Sequence, residues 1–237
     1  FNSEKYIQDT LESLTSQSFK KFEVLIFDNN STDSTTQIVH SYMESLNITL
    51  IKERDLGLYD AMNKGINYSK GKFLYFMGSD DYFASSLILE RIWESYQKNN
   101  NVTLIFGNVY NIDAQKLIRS KFNNLMYIQN KLHHQSVFYC KKIIQSYDLK
   151  YQILADYKLN LELWHNSKMK TLYEDITICN VRDGGISTTP RNFSKYVSET
   201  NAIRKEVVGT LSLITIISYL SFTFKVVLRK FKNAIQY

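Results

Sequence analysis

The sequence predicts an α/β protein: a doubly wound, mainly parallel sheet flanked by helices, followed by a helical tail. Three observations carry this prediction. Apolar runs short enough for single strands alternate with stretches of helical spacing, and polar clusters rich in Asn, Ser, Thr and Gly separate them. Two of the runs end abruptly in acids, at Asp28 and at Asp80-Asp81. Alternation of this kind implies right-handed crossovers between parallel strands, and open α/β sheets bind ligands beyond the carboxyl ends of their strands.

The elements follow in order. Ser3 opens a helix bearing Ile7, Leu11 and Leu14 on one stripe, and residues 22–27 form a strand ending at Asp28. The cluster Asp28-Asn29-Asn30-Ser31-Thr32-Asp33 leads into a helix through about Ser45, with Asp33 better placed as its cap than as a ligand group. A short strand spans 48–52, a helix 58–69, and a strand the run before Gly78. That run, Phe73-Leu74-Tyr75-Phe76-Met77, has the continuous apolar character of a parallel strand covered on both faces. Residues 87–96 then read as helix and 102–106 as strand, and 110–138 are too irregular to assign. The chain begins at Phe1-Asn2-Ser3 as though a preceding strand had been removed.

Composition bounds the class. With 237 residues and 44% hydrophobic content the chain buries a substantial core, which excludes a disordered or disulfide-stapled module. Cys140 and Cys179 form neither a zinc set nor a disulfide framework, so a reducing, cytoplasmic setting is the simpler expectation. The net charge of +6 suits phosphate groups, an anionic membrane surface or nucleic acid, and does not choose among them. Residues 207–224 are uncharged and precede Lys225, Arg229, Lys230 and Lys232. This tail nears the roughly 18 residues of a spanning helix, but Gly209, Thr210, Ser212 and Thr215 dilute it. Interfacial association is expected rather than a crossing, with a buried or oligomer-forming helix as the alternative. The domains are therefore expected at 1–195, with a membrane-associated segment at 196–237.

Paired acids beyond a strand repel each other unless a cation or hydrogen bonds compensate them, so Asp80-Asp81 fits a metal and phosphate site as well as a solvated cap. Together with Asp28-Asn29-Asn30-Ser31-Thr32-Asp33-Ser34-Thr35 and Gly57-Leu58-Tyr59-Asp60-Ala61-Met62-Asn63-Lys64-Gly65, in this order, Gly78-Ser79-Asp80-Asp81 resembles family 2 glycosyltransferases. The likeness is to the branch that builds bacterial capsule, exopolysaccharide or O-antigen. It implies a GT-A (nucleotide-diphospho-sugar transferase) fold and an inverting transfer from a nucleotide-diphosphate sugar, a UDP-sugar first of all. It also implies a lipid-linked or oligosaccharide acceptor, no nucleic acid, and a peripheral position on the cytoplasmic face of the inner membrane.

Residue by residue, the resemblance makes Asp28 an acceptor for the nucleotide base, Asp80 a ribose or metal-shell contact and Asp81 the ligand of Mn²⁺ or Mg²⁺. Arg54, Asp55 and Lys64 surround a helix start, where backbone N–H groups receive anionic oxygens, and are donor-site candidates. Other branches of the family often carry Arg-Asn where this chain has Met62-Asn63, so which cation, Arg54 or Lys64, approaches the diphosphate stays open, and Asp60 alternatively pairs with Lys64 at i,i+4 spacing. His134 and Gln135, in His133-His134-Gln135-Ser136, resemble a family element near the active site and would orient donor or acceptor hydroxyls. Asp156, in Leu154-Ala155-Asp156-Tyr157, matches the family's general base, although its spacing alone fits a helix N-terminal acid. Arg182-Asp183-Gly184-Gly185-Ile186-Ser187 resembles a late loop that closes over the donor, or is ordinary loop punctuation. Two other readings compete: a membrane-associated glycan-binding or assembly protein with an inactive site, and a sugar nucleotidyltransferase, for which no Gly-rich phosphate loop is visible.

Overall fold

The computed structural model describes residues 1–166, 169–185 and 189–209. Helix α1 (Ile7–Thr15) buries Ile7 and Leu11 against Val39 of α2 (Thr35–Ser41) and Leu46. Its cap is Tyr6, three residues after the expected Ser3, and Ser3 contributes its carbonyl, which accepts the Ile7 N–H at 2.9 Å. Strand β1 (Val24–Asp28) pairs in parallel with β2 (Ile48–Lys52), placing Asp28 opposite Lys52. Helix α2 is shorter than its sequence pattern and gives way to turns after Ser41.

Helix α3 (Leu58–Tyr68) starts at Gly57, whose φ of +123° is strained for a residue with a Cβ. The chain then forms β3 (Phe73–Tyr75), β4 (Tyr82–Phe83), α4 (Ile88–Lys98), β5 (Leu104–Asn111), β6 (Lys116–Arg119), β7 (Val137–Cys140), α5 (Ala155–His165), β8 (Thr171–Val181) and α6 (Phe193–Val208). The second sheet runs β3-β7-β5-β8-β4, with β6 pairing β5, and no ladder among the described residues joins it to the β1–β2 pair.

This topology corrects the expectation of a mainly parallel sheet. Among the described residues only β1–β2 and β5–β8 are parallel, whereas β3–β7, β5–β7, β5–β6 and β4–β8 are antiparallel. A continuous apolar run reports that a strand is covered on both faces, not which way its neighbours run. β5 is buried almost throughout, with Leu104 and Phe106 facing one core cluster and Ile105 and Val109 the other. Likewise β3 lies antiparallel to β7 and ends at Tyr75, so Phe76 and Met77 have left the ladder before the chain reaches Gly78.

One core cluster gathers α3, α5, β5 and β7 through Met62, Leu161, Leu104 and Tyr139, and includes Ile203 of α6. The other packs α4 on the opposite face through Ile88 and Ile92. Residues 196–208 of the expected tail thus belong to a helix packed on α5. The rest of that tail, 210–237, lies outside the described residues. Among the described residues no helix is long and apolar enough to cross a membrane.

Candidate active site

Hydrogen bonds tie the loops that carry the candidate residues into a circuit that runs from one loop to the next. It begins at Asp28, a buried carboxylate at the end of β1. Its Oδ2 accepts the Ser31 N–H at 2.8 Å and its Oδ1 accepts the Ser31 hydroxyl, a local turn built from its own loop. The Asn29 side-chain oxygen accepts the Asp55 N–H at 3.2 Å, tying the β1 loop to the loop before α3. There Asp55 Oδ1 accepts the Gly57 N–H at 3.0 Å, and Asp60 Oδ2 accepts the Leu56 N–H at 3.0 Å.

Arg54 and Lys64 differ in this loop. The ammonium of Lys64 lies 3.1 Å from Glu53 and 3.4 Å from Asp60, and donates to the Arg54 carbonyl at 2.8 Å. Arg54 is exposed, and no ion pair among the described residues engages its guanidinium.

From α3 the circuit passes to α5. The Tyr59 hydroxyl is 2.9 Å from Asp156 Oδ1, and the Asn130 amide donates to Asp156 Oδ2 at 2.9 Å. Asp156 stands in the first turn of α5. Burial raises its carboxyl above the ordinary carboxylate range, while bonds from Tyr59, the Tyr157 N–H and Asn130 act against that rise.

Residues 130–135 lead back to the acids after β3. His133 and His134 stack with planes 10° apart at the edge of a 3₁₀ turn, His134–Ser136, that packs on β5 and β8. Burial holds both imidazoles down at about 4, so both are neutral at pH 7. The Gln135 amide donates to Asp81 Oδ2 at 2.7 Å, and among the described residues its own buried Oε1 finds no partner, nor does His133 Nδ1.

Asp81 is buried, and enclosure, followed by the charge of Asp80, pushes its carboxyl up to about 6. Three donors, from Gln135 and from the Gly78 and Arg182 backbone, oppose that shift. A Cβ at Gly78 would stand 2.5 Å from Asp81 Oδ2 and 2.9 Å from Asp80 Oδ1. Both carboxylates therefore crowd a place that only glycine leaves open. The circuit closes through the start of the chain: the Ser3 hydroxyl is 2.8 Å from that of Ser79, and the Asn2 N–H donates to Ser31 Oγ at 2.8 Å.

Asp33 is structural, accepting from the Glu4 and Thr35 N–H groups at 3.1 and 3.0 Å. The loop after β8 is described only to Gly185, so Ile186 and Ser187 lie outside the described residues. Cys140 and Cys179 are buried free thiols. A cavity of about 700 Å³ lies between α3, α5 and the segment 143–149, and none of the candidate acids lines it. Its lining is braced by Lys158, which meets Asp148 at 2.7 Å and Glu206 at 2.5 Å. The circuit, with its perturbed carboxyls, is the stronger candidate for chemistry.

Among the described residues no cluster of three or more His, Cys, Asp or Glu forms a complete protein cage for a metal. Two convergent carboxylates, one poorly compensated, instead match the donor set of a hard divalent cation that takes its other ligands from phosphate and water.

A family profile described as Glycosyl transferase family 2 matches residues 1–155. The chain belongs to this glycosyltransferase family. Its relatives include a PGL/p-HBAD biosynthesis glycosyltransferase of Mycobacterium tuberculosis, 29% identical over 186 residues that span 76% of this chain and 73% of the relative. The poly(ribitol-phosphate) beta-N-acetylglucosaminyltransferase TarS of Staphylococcus aureus is 35% identical over 109 residues, covering 44% of this chain and 19% of TarS. Among solved structures, TarS 1-349 with UDP-GlcNAc superposes with a TM-score of 0.68 at 20% identity, over 86% of this chain and 64% of that one. The mannosyltransferase PcManGT of Pyrobaculum calidifontis, solved with GDP-Man and Mn²⁺, gives 0.62 at 13% identity over 98% and 76%. This family 2 glycosyltransferase therefore has the GT-A fold.

The sequence pointed to the acids but not to what holds them. Tyr59 lay inside a recognised motif without an assigned role, and Asn130 lay in a segment with no periodicity. Asn29 was one polar residue among several in its loop.

Proposed function

We propose that this glycosyltransferase moves one sugar, with inversion, from a nucleotide-diphosphate sugar to a hydroxyl of a growing bacterial surface glycan. The observation that carries the proposal is the hydrogen-bond circuit, which links the Asp28, Asp55 and Asp80-Asp81 loops to the enclosed carboxylate of Asp156. The names of the relatives, and the UDP-GlcNAc and GDP-Man complexes of the structural neighbours, support a nucleotide-sugar donor, with a UDP-sugar first.

In this reading Asp28 and its Ser31 turn receive the base, and Asp55 shapes the α3 start on which the diphosphate rests. Arg54 is the better placed cation, because Lys64 is already engaged by Glu53 and Asp60. Asp80 and Asp81 would hold Mn²⁺ or Mg²⁺, which when bound offsets the charge that develops on the departing diphosphate. Gln135 steadies Asp81 and leaves Oε1 to accept a hydrogen bond from a sugar hydroxyl, and His134 orients donor or acceptor hydroxyls with it. Asp156 takes the proton of the acceptor hydroxyl as its oxygen attacks the anomeric carbon opposite the leaving phosphate. A lipid-linked or oligosaccharide acceptor, presented at the cytoplasmic face of the inner membrane, suits the cationic balance of the chain.

The test is release of nucleotide diphosphate from a panel of UDP-, GDP- and TDP-sugars, with membrane lipid extract as acceptor. Release with Mn²⁺ that stops in EDTA and in Asp81→Ala is expected. Equal release in EDTA and in Asp81→Ala would remove the metal role, and no release from any donor would favour a glycan-binding protein.

A further inference from the structure

Asp156 is gripped by both of its oxygens, each from a different part of the fold. Tyr59, in the first turn of α3, places its hydroxyl 2.9 Å from Oδ1 and also 2.9 Å from the Ile153 carbonyl. Its single proton is shared between those two acceptors. Asn130 donates to Oδ2 at 2.9 Å while its own oxygen accepts the Leu132 N–H at 3.3 Å, so the amide cannot swing away freely. The Tyr59 ring is itself fixed, 7% exposed and 5.3 Å from the Tyr147 ring.

We infer that Tyr59 and Asn130 are positioning residues that clamp the Asp156 carboxylate from opposite sides and so fix which of its lone pairs meets the acceptor hydroxyl. Rotation of the carboxylate about Cβ–Cγ would break both bonds. A carboxylate offers about four acceptor sites, so the clamp leaves lone pairs for a proton. The inference rests on Asp156 being the base. It also gives α3, which begins at the proposed diphosphate loop, a direct hold on the group that activates the acceptor.

The ionisable neighbours of this carboxyl are His133 from the segment before β7, Tyr139 from β7, Tyr147 from the segment before α5 and Tyr59 itself. Glu199 of α6 faces Tyr59 from the far side of the 152–154 turn. None of them is a cation at neutral pH, since burial keeps His133 neutral. The donated hydrogen bonds are therefore the adjustable influence on the carboxylate.

The decisive experiment is a carboxyl ¹³C NMR titration of the full chain, with the Asp156 signal assigned by its loss in Asp156→Asn. Tyr59→Phe keeps the ring and removes the hydroxyl. Its Asp156 titration is expected to move upward by roughly one pH unit, the size of one lost bond to a charged acceptor. Asn130→Ala should move it in the same direction, and the amide spectra of both variants report whether the fold survives. An unmoved titration in folded Tyr59→Phe and Asn130→Ala overturns the clamp and leaves the base reading intact. Nucleotide release at the wild-type rate in Asp156→Asn overturns the base reading, and the positioning role falls with it.

Discussion

In its proposed role Asp81 faces a ligand, and that demand conflicts with its burial and with the charge of Asp80 beside it. The sign of its effect on stability follows from its raised carboxyl. The folded group holds its proton up to about pH 6 while the unfolded one releases it near 3.8, so the charge opposes folding above pH 6. That opposition fades as the pH falls through this window. In metal-free protein Asp81→Asn is therefore expected to be more stable at pH 7, by on the order of 1–3 kcal/mol, and to lose the advantage near pH 4. Denaturant melts at both pH values check this, and turnover should be lost in the same variant. The acids were legible as residues because adjacent carboxylates after an apolar run are rare and chemically costly. Their holders were not, since a hydrogen bond between Gln135 and Asp81, 54 positions apart, leaves no local pattern.

At the scale of elements, α6 sets where α5 begins. Glu199 accepts the N–H groups of Gln152, Ile153 and Leu154 at 3.0, 3.0 and 2.9 Å, capping from a distance the turn that delivers Asp156. Glu199→Ala strands those donors and should cost about 2–4 kcal/mol, read as a lower denaturation midpoint. The His133–Ser136 turn makes a second prediction. Its imidazoles titrate near 4 when folded and near 6.5 when unfolded, so the stability they carry is complete above 6.5 and is lost as pH falls toward 4. Asp81 acts in the opposite direction over part of that range, so the comparison must be between variants. His134→Gln should flatten the acid-side loss of stability, and a slope as steep as wild type would contradict the assignment. Helices α1, α3 and α4 were legible from their apolar stripes. The sheet's direction was not, because burial on two faces produces the same apolar run in parallel and antiparallel strands. Strands β6 and β7 were hidden for a related reason: each is four residues long, too short for a period to show.

Over the whole molecule, loops from β1, β2, β3 and the start of α5 converge because the core fixes the elements behind them. Tyr59 and Met62 of α3, Tyr139 of β7 and Leu161 of α5 share one apolar cluster, and every loop in the circuit springs from an element packed there or directly beside it. The α/β class could be read from alternation and composition and the GT-A fold from the family motifs, whereas the mixed strand directions and the closed circuit depend on tertiary contacts that spacing does not encode. The central claim is that Asp156 is the base of a sugar transfer whose donor binds elsewhere on the circuit. Its most direct test compares wild type with Asp156→Asn, using calorimetry for donor binding and product formation for turnover. Unchanged donor affinity with turnover reduced by about 10²–10⁴-fold, the usual contribution of a general base, is the predicted result; turnover within a few-fold of wild type would contradict the account.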